Sequence, residues 1–277
     1  MKAILDKYLN ANEITSPFLD KLKFMAYNAI KILLYKLYFR SNYKKYIIFK
    51  CNLMHCLYVL GRYEKDHMDY LKYLINDNKS GTIFDIGANS GLYTRHFLKV
   101  TNEKTKIIAI DPDVYCYGYT KNRFQDNNRV QVYHLALFDR NHKDISFFIP
   151  QIFSCLPEPS GASLFHNNQG DRQVKVDVKT LDSFHANDVI FIKLDVEGAE
   201  VEVIKGGLET IKKCRPILQV EAGGAGYDHK FNGICKLAES INYRVFKLKN
   251  DNLEEIKDYK NCKDMNIYLL PGIEKIT

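Results

Sequence analysis

The chain has 277 residues, 46% of them hydrophobic, enough for one large α/β domain with an appendage. Its formal net charge of +7 sits in residues 1–50, where ten Lys/Arg meet three Asp/Glu (10 − 3 = +7), so residues 51–277 balance at 30 against 30. A balanced catalytic region weighs against nucleic acid as a partner, which would select a positive surface around the active site. The seven cysteines include no C-x-x-C pair, so Cys51, His55 and Cys56 are not read as a zinc site; an odd count without a secretory signal predicts free thiols in the cytoplasm.

Residues 1–60 read as a basic, mainly helical N-terminal segment, with Ser16-Pro17 as a helix start. Residues 22–39, LKFMAYNAIKILLYKLYF, are apolar on nearly every face, but Lys23, Lys31 and Lys36 argue against a membrane span. Two readings stand: a helix packed on the catalytic domain or a second subunit, or an interfacial helix in peripheral contact with an anionic membrane. YIIFKCNLMHCLYVL, residues 46–60, suits strand and helix equally.

Residues 61–277 form the second unit. After Lys79-Ser80-Gly81, strands are predicted at 82–86, 106–110, 130–135, 189–194, 216–221, 243–248 and 266–270. Helices are predicted at 92–100, 114–126, 198–212 and 230–241. This alternation predicts an α/β fold with a mainly parallel sheet and helices on both faces. Between residues 140 and 185, ISFFIP and QVKVDV read as extra strands around a Pro/Ser/Gly-rich loop. That insertion before the fourth strand is the expected acceptor-binding wall or lid.

The stretch TIFDIGANSGLYT, residues 82–94, runs from a buried strand through a glycine turn into a helix, a geometry that offers backbone N–H groups to a nucleotide-like ligand. The turn is D-x-G-x-x-x-G; Asn89 stands where the dinucleotide fingerprint has its middle glycine, which disfavours a nicotinamide cofactor and favours S-adenosylmethionine. Gly87 is expected to leave room for the ligand. Asp111, at the end of IIAID, can accept both ribose hydroxyls.

FIKLDVEGAEVEVIKGG, residues 191–207, ends a strand in Lys193-Leu194-Asp195 and turns at Glu197-Gly198. A charged residue closing an apolar strand has little structural reason to be there, whereas Glu197 and Glu200 also suit a helix start. PILQVEAGG again ends a strand in a carboxylate, Glu221, with His229 beyond. HLALFD, residues 134–139, could bring the backbone near Ala136 to an adenine edge. Asp195, Glu197, Glu221, His229 and Lys193 are therefore the candidate catalytic groups for deprotonating or orienting a hydroxyl. A metal-free role is preferred; the alternative is Mg²⁺ held by Asp195, Glu197 and Glu221.

Taken together, GRYE (61–64), FDIGANSGLYT, IIAIDPD, VYHLALFD, GASLF, VKTLDSF, FIKLDVEGAEVEVIKGG and RPILQVE resemble the FkbM family of class I S-adenosylmethionine-dependent methyltransferases, from about Gly61 to Pro271. The resemblance implies a seven-stranded, Rossmann-like, mainly parallel sheet and methyl transfer to oxygen, often a sugar or polyketide hydroxyl. It places Asp85, Gly87, Asn89 and Gly91 at the methionine end of the cofactor, Asp111 at the ribose and Ala136 near the adenine. Glu64, Ala88, Tyr93, Thr94, Pro112 and Asp195 complete the expected cofactor contacts. Many relatives carry Glu where this chain has Asp111, and residues 1–60 match no family motif. The expected acceptor is a small molecule or glycan. The rival readings are an RNA methyltransferase of the same fold and a non-catalytic partner subunit.

Overall fold

A computed structural model describes residues 42–61, 64–75, 80–152, 156–157, 164, 171–222, 227–257 and 266–272, with Leu33 and Lys36. In chain order the helices are α1 (Tyr43–Val59), α2 (Lys65–Leu74), α3 (Leu92–Val100), α4 (Val114–Arg123), α5 (Glu200–Lys205), α6 (Leu208–Cys214) and α7 (Tyr227–Ser240). The strands are β1 (Thr82–Ile86), β2 (Lys106–Ile110), β3 (Val130–Tyr133), β4 (Ala136–Leu137), β5 (His142–Ile149), β6 (Gln151–Ile152), β7 (Leu156–Pro157), β8 (Arg172–Lys179), β9 (Val189–Leu194), β10 (Ile217–Glu221), β11 (Tyr243–Lys249), β12 (Asn252–Glu255) and β13 (Asn266–Pro271).

The main sheet has the order β12-β11-β13-β10-β9-β1-β2-β3. Neighbours from β10 to β3 pair in parallel, while β13 is antiparallel to both its neighbours, β10 and β11, so that β11 runs in the same direction as β10. Among the described residues the sheet thus has one strand more than the seven expected, because β12 folds back on β11 as an antiparallel partner. The chain winds outward from β1 to β3, then crosses back to lay β9 beside β1. That reversal opens a crevice beyond the carboxyl ends of β1 and β9, where ligands of such sheets bind. β1 is buried at all five positions, and Phe84, Ile86, Ile192, Leu194, Leu218 and Val220 form one apolar core with α5, α6 and α7.

Three local departures from the sequence reading have identifiable causes. The predicted helix 198–212 is broken into α5 and α6 at Gly206-Gly207, where a Cβ on Gly206 would stand 2.0 Å from the Phe138 carbonyl oxygen. HLALFD does not extend β3; β4 pairs with β8 in a second sheet, ordered β4-β8-β5, which is built from the insertion. The ambiguous run 46–60 is helical. Its N-cap Asn42 accepts the Lys45 N–H at 3.1 Å, and Tyr43, Tyr46, Ile47 and Cys51 share an apolar cluster with Cys116 of α4 and with Phe147, Ile149, Val176 and Val178 of the insertion. Apart from Leu33 and Lys36, the segment 22–39 lies outside the described residues. No helix among the described residues is long and apolar enough to cross a membrane.

Candidate active site

The floor of the crevice is the turn after β1. Gly87, Asn89 and Gly91 all hold positive φ, at 80°, 49° and 69°, a region costly for side-chain-bearing residues and natural for glycine. The N–H groups of Gly87 and Ala88 both donate to the Ile110 carbonyl, at 2.9 and 3.0 Å, and the Asp195 N–H donates to the Ile86 carbonyl at 3.0 Å. A Cβ on Gly87 would lie 1.7 Å from the Asp195 carbonyl oxygen. The missing side chain therefore makes room for the end of β9, not for the ligand, which corrects the reason given to this glycine above. Gly87→Ala is expected to destabilise the fold by ~3 kcal/mol through the clash and the positive φ. A denaturant melt indistinguishable from the parent protein's would refute this.

Two aspartates fix the turn. Asp85, 1% exposed, lies beneath it and accepts the Thr94 hydroxyl at 2.5 Å; neither residue lines the cavity above. Asp111 does line it, and its two carboxylate oxygens accept the Asn89 N–H at 2.7 Å and the Asp113 N–H at 2.8 Å. Asp113 in turn caps α4, accepting the N–H groups of Tyr115 and Cys116 at 2.8 and 2.9 Å. The Tyr43 hydroxyl of α1 donates to the other oxygen of Asp113 at 2.8 Å. On the same helix, His55 Nε2 lies 2.7 Å from the Ser90 carbonyl. A carbonyl can only accept, so Nε2 carries the proton; burial lowers the imidazole pKa to about 4 and keeps it neutral. His55 is thus a structural clasp on the turn.

The opposite end of the crevice is carboxylate-rich. Lys193, 2% exposed, places its Nζ 3.5 Å from Asp195 Oδ2 and 4.9 Å from the centre of the Tyr93 ring. The Tyr93 hydroxyl donates to Glu64 and receives a hydrogen bond from Gln219 Nε2 at 3.1 Å. Burial works to lower the Lys193 pKa, but Asp195, Glu64, Glu221 and Asp85 together raise it above the ordinary lysine value. Glu221 hydrogen-bonds Asp195, and burial together with that neighbouring charge pushes its pKa up to about 8. Glu197 has φ 53° and a pKa raised to about 7, first by burial and then by Asp195 and Glu200. Glu200, fully buried, accepts the Gly198 N–H at 3.2 Å and pairs with Lys230 Nζ at 3.0 Å. It shapes the turn that presents Glu197 and does not line the cavity.

These ends bound one cavity of about 280 Å³. Of the residues singled out in the sequence, Glu64, Gly87, Ala88, Asn89, Tyr93, Asp111, Pro112, Ala136, Asp195, Glu197 and Glu221 line it. Gly91 does not: it is the close-packing point of α3 on α4, where a Cβ would stand 2.8 Å from Phe124. Lys193 lies behind the lining, and the His229 side chain is outside the described residues. Among the described residues no group of three or more His, Cys, Asp or Glu is arranged to hold a metal. Sequence reasoning missed Lys50 and Met54 of α1, Asp113, and the insertion's Phe147 and Leu164, which also line the cavity. The capping aspartate before α4 was the one available signal for Asp113.

Residues 85–245, more than half of the chain, match the Methyltransferase FkbM domain. The chain belongs to the FkbM methyltransferase family. It is 27% identical over 152 residues to the 2-O-methyltransferase NoeI of Sinorhizobium fredii, a match covering 48% of this chain and 60% of NoeI, less than two thirds of that relative. Among solved structures, the FkbM methyltransferase of Methylobacillus flagellatus is 21% identical over 69% of this chain and 43% of its own, with a TM-score of 0.45. An S-adenosylmethionine-dependent O-methyltransferase of Thermotoga maritima is 8% identical over 77% of this chain and 67% of its own, with a TM-score of 0.39.

The site of this FkbM domain has a cost that pH reveals. Burial, which penalises the charged form, raises Asp85 to about 6, Glu197 to about 7, and Asp111 and Glu221 to about 8. The same groups titrate near ~4 when unfolded, so between those values the folded chain holds more protons than the unfolded one. Their stabilising contribution is complete below about pH 4 and is lost as pH rises through the folded values. The Tm of the ligand-free protein is expected to fall from about pH 5 to about pH 8, with Glu221→Gln flattening the decline. Thermal melts across that range check it; a Tm that climbs toward pH 8 would sink the assignment.

Proposed function

We propose that the chain transfers a methyl group from S-adenosylmethionine to a hydroxyl oxygen of a sugar, glycan or related metabolite. One observation carries the reading: a single cavity joins a strand-end aspartate, Asp111, above a glycine turn to a hydrogen-bonded carboxyl pair, Asp195 and Glu221. Family membership and the likeness to NoeI, a 2-O-methyltransferase, support methyl transfer and oxygen as the acceptor atom. The donor set fits the cofactor: Asp111 accepts one N–H at each oxygen and keeps lone pairs for ribose hydroxyls. Ala136, between Leu135 and Leu137, leaves a small apolar shelf for a flat base.

When bound, S-adenosylmethionine supplies a methyl group already activated on a sulfonium. The protein's share is alignment, worth roughly 7–11 kcal/mol for well-oriented reactants, and removal of the hydroxyl proton. Asp195 is the accepting carboxylate. Glu221, protonated at neutral pH, donates its hydrogen bond to Asp195 and excludes a second charge. Lys193, with its ammonium against both the Tyr93 ring and Asp195, fixes the carboxylate's direction.

Calorimetry with S-adenosylmethionine, S-adenosylhomocysteine and NAD tests the cofactor, and mass spectrometry of hydroxylated sugars incubated with protein and S-adenosylmethionine tests transfer. Binding of the two sulfur ligands, with a gain of one methyl on oxygen that survives EDTA, is expected. Activity lost to EDTA and restored by Mg²⁺ would move the reading to metal-assisted transfer; tight binding of NAD alone would end it.

A further inference from the structure

We infer that Tyr93 and Gln219 hold Glu64 as the seat for the ammonium group on the amino-acid tail of S-adenosylmethionine, a step that rests on the methyl-transfer reading. Glu64 is the N-cap of α2, yet its carboxylate makes no capping bond and its backbone is left-handed, with φ 39°. An N-cap ordinarily has extended backbone and a side chain that accepts one of the first helical N–H groups, so both features cost the fold stability. Instead of capping, the side chain lines the cavity and accepts the Tyr93 hydroxyl.

Gln219 is out of place for a different reason. It is fully buried in the middle of β10, where an apolar side chain would pack without needing partners. Glu64, as a carboxylate, can only accept, so the Tyr93 proton points to it. The donor to the Tyr93 oxygen is then the Gln219 amide, whose Nε2 lies 3.1 Å away. That orientation leaves Gln219 Oε1 buried and without a hydrogen-bond partner among the described residues, a second cost carried for the sake of the tyrosine. In register, Gln219 sits between Lys193 and Tyr268, on one face of the sheet. The Lys193 ammonium lies over the Tyr93 ring, and the Tyr268 hydroxyl is 2.7 Å from His67 Nδ1 in the first turn of α2. The start of α2 is thus fastened to the sheet at both Glu64 and His67.

Position says which part of the cofactor meets Glu64. With the ribose on Asp111, the tail extends through the sulfur to the other end of the cavity, where Glu64 lies with Asp195 and Glu221. A second carboxylate would be repelled there. An ammonium instead gains a charged acceptor whose direction is fixed before binding, so little freedom is lost when they meet.

Calorimetry with two ligands tests the seat: S-adenosylhomocysteine, which carries the tail, and 5′-methylthioadenosine, which lacks it. Glu64→Gln keeps the shape and removes the charge. It is expected to weaken S-adenosylhomocysteine about tenfold or more, while 5′-methylthioadenosine stays within about twofold of its parent affinity. Tyr93→Phe and Gln219→Leu should each weaken the first ligand about three- to tenfold and spare the second. Combined, they should cost no more than Tyr93→Phe alone, because the amide acts through the hydroxyl. A merely structural role would lower both affinities together. Equal weakening of the two ligands in Glu64→Gln, or no weakening of either, overturns the seat; parent-like binding by Tyr93→Phe and Gln219→Leu overturns their positioning role. Unchanged S-adenosylhomocysteine binding in Glu64→Gln leaves the methyl-transfer reading standing, whereas a parent protein that binds neither ligand overturns both.

Discussion

Asp111→Ala is expected to lower the affinity for S-adenosylhomocysteine about a hundredfold or more. The carboxylate accepts the N–H groups of Asn89 and Asp113, and its truncation leaves two sheltered donors without partners. Each orphaned donor costs about 1–3 kcal/mol, and the lost charged acceptor for the ribose another ~1.5–3 kcal/mol. Part of the first cost falls on the free protein as well, so the expected affinity loss is smaller than the sum. The pKa of Asp111 adds a second readout. Burial, and then the charge of Asp113, raise it to about 8, so at neutral pH much of the ligand-free protein carries this carboxyl protonated. Ribose hydroxyls donating to it favour the ionised form, so binding should release a proton and tighten as pH rises from about 6 to about 8. Calorimetry in buffers of different ionisation enthalpy measures that proton directly. An affinity within about twofold of the parent protein's for Asp111→Ala would remove the ribose role.

What could be read in the sequence, and what could not, divides along a physical line. Strands β1, β2, β9 and β10 were legible because each is a short, largely apolar run closed by glycine or a carboxylate. Asp111, Asp195 and Glu221 were legible for the same reason: a charged residue ending a buried strand has no place in the core, so the crevice is where it goes. What depended on contacts distant in sequence was not legible. Tyr43 reaches Asp113 across 70 residues, and nothing local in either marks the partner. Gly87 was read as making room for a ligand, whereas the atom it avoids belongs to Asp195, just beyond the end of β9. Lys50 and Met54 were missed because α1 is apolar on every side, so periodicity could not say which side faced the cavity. HLALFD reads as one strand end, yet Phe138 N–H donates to the Lys179 carbonyl at 2.9 Å and draws β4 into the second sheet.

Asp195→Asn is expected to reduce turnover by roughly 10²–10⁴, the usual size of acid–base assistance, while leaving the affinity for S-adenosylhomocysteine nearly unchanged. The amide keeps the shape of the carboxylate and keeps one oxygen to accept the acceptor's hydroxyl. It cannot take the proton, and it turns a hydrogen-bond donor toward either Lys193 or Glu221, both of which already donate. The separation from cofactor binding follows from position: the Asp195 backbone braces the glycine turn through its N–H to Ile86, and that contact survives the substitution. The pH profile supplies the discriminating signature. In the parent protein Glu221 is held protonated to about 8 by burial and then by the Asp195 charge beside it. Removing that charge should let Glu221 ionise at lower pH, so any residual activity that uses Glu221 as the base would rise on a limb displaced to lower pH. Glu221→Gln should be milder, because it preserves the donor to Asp195, and Asp195→Asn with Glu221→Gln should be no worse than Asp195→Asn alone if the two act as one unit. An Asp195→Asn protein that turns over at the parent rate would take Asp195 out of the chemistry and leave alignment over the glycine turn as the protein's main contribution.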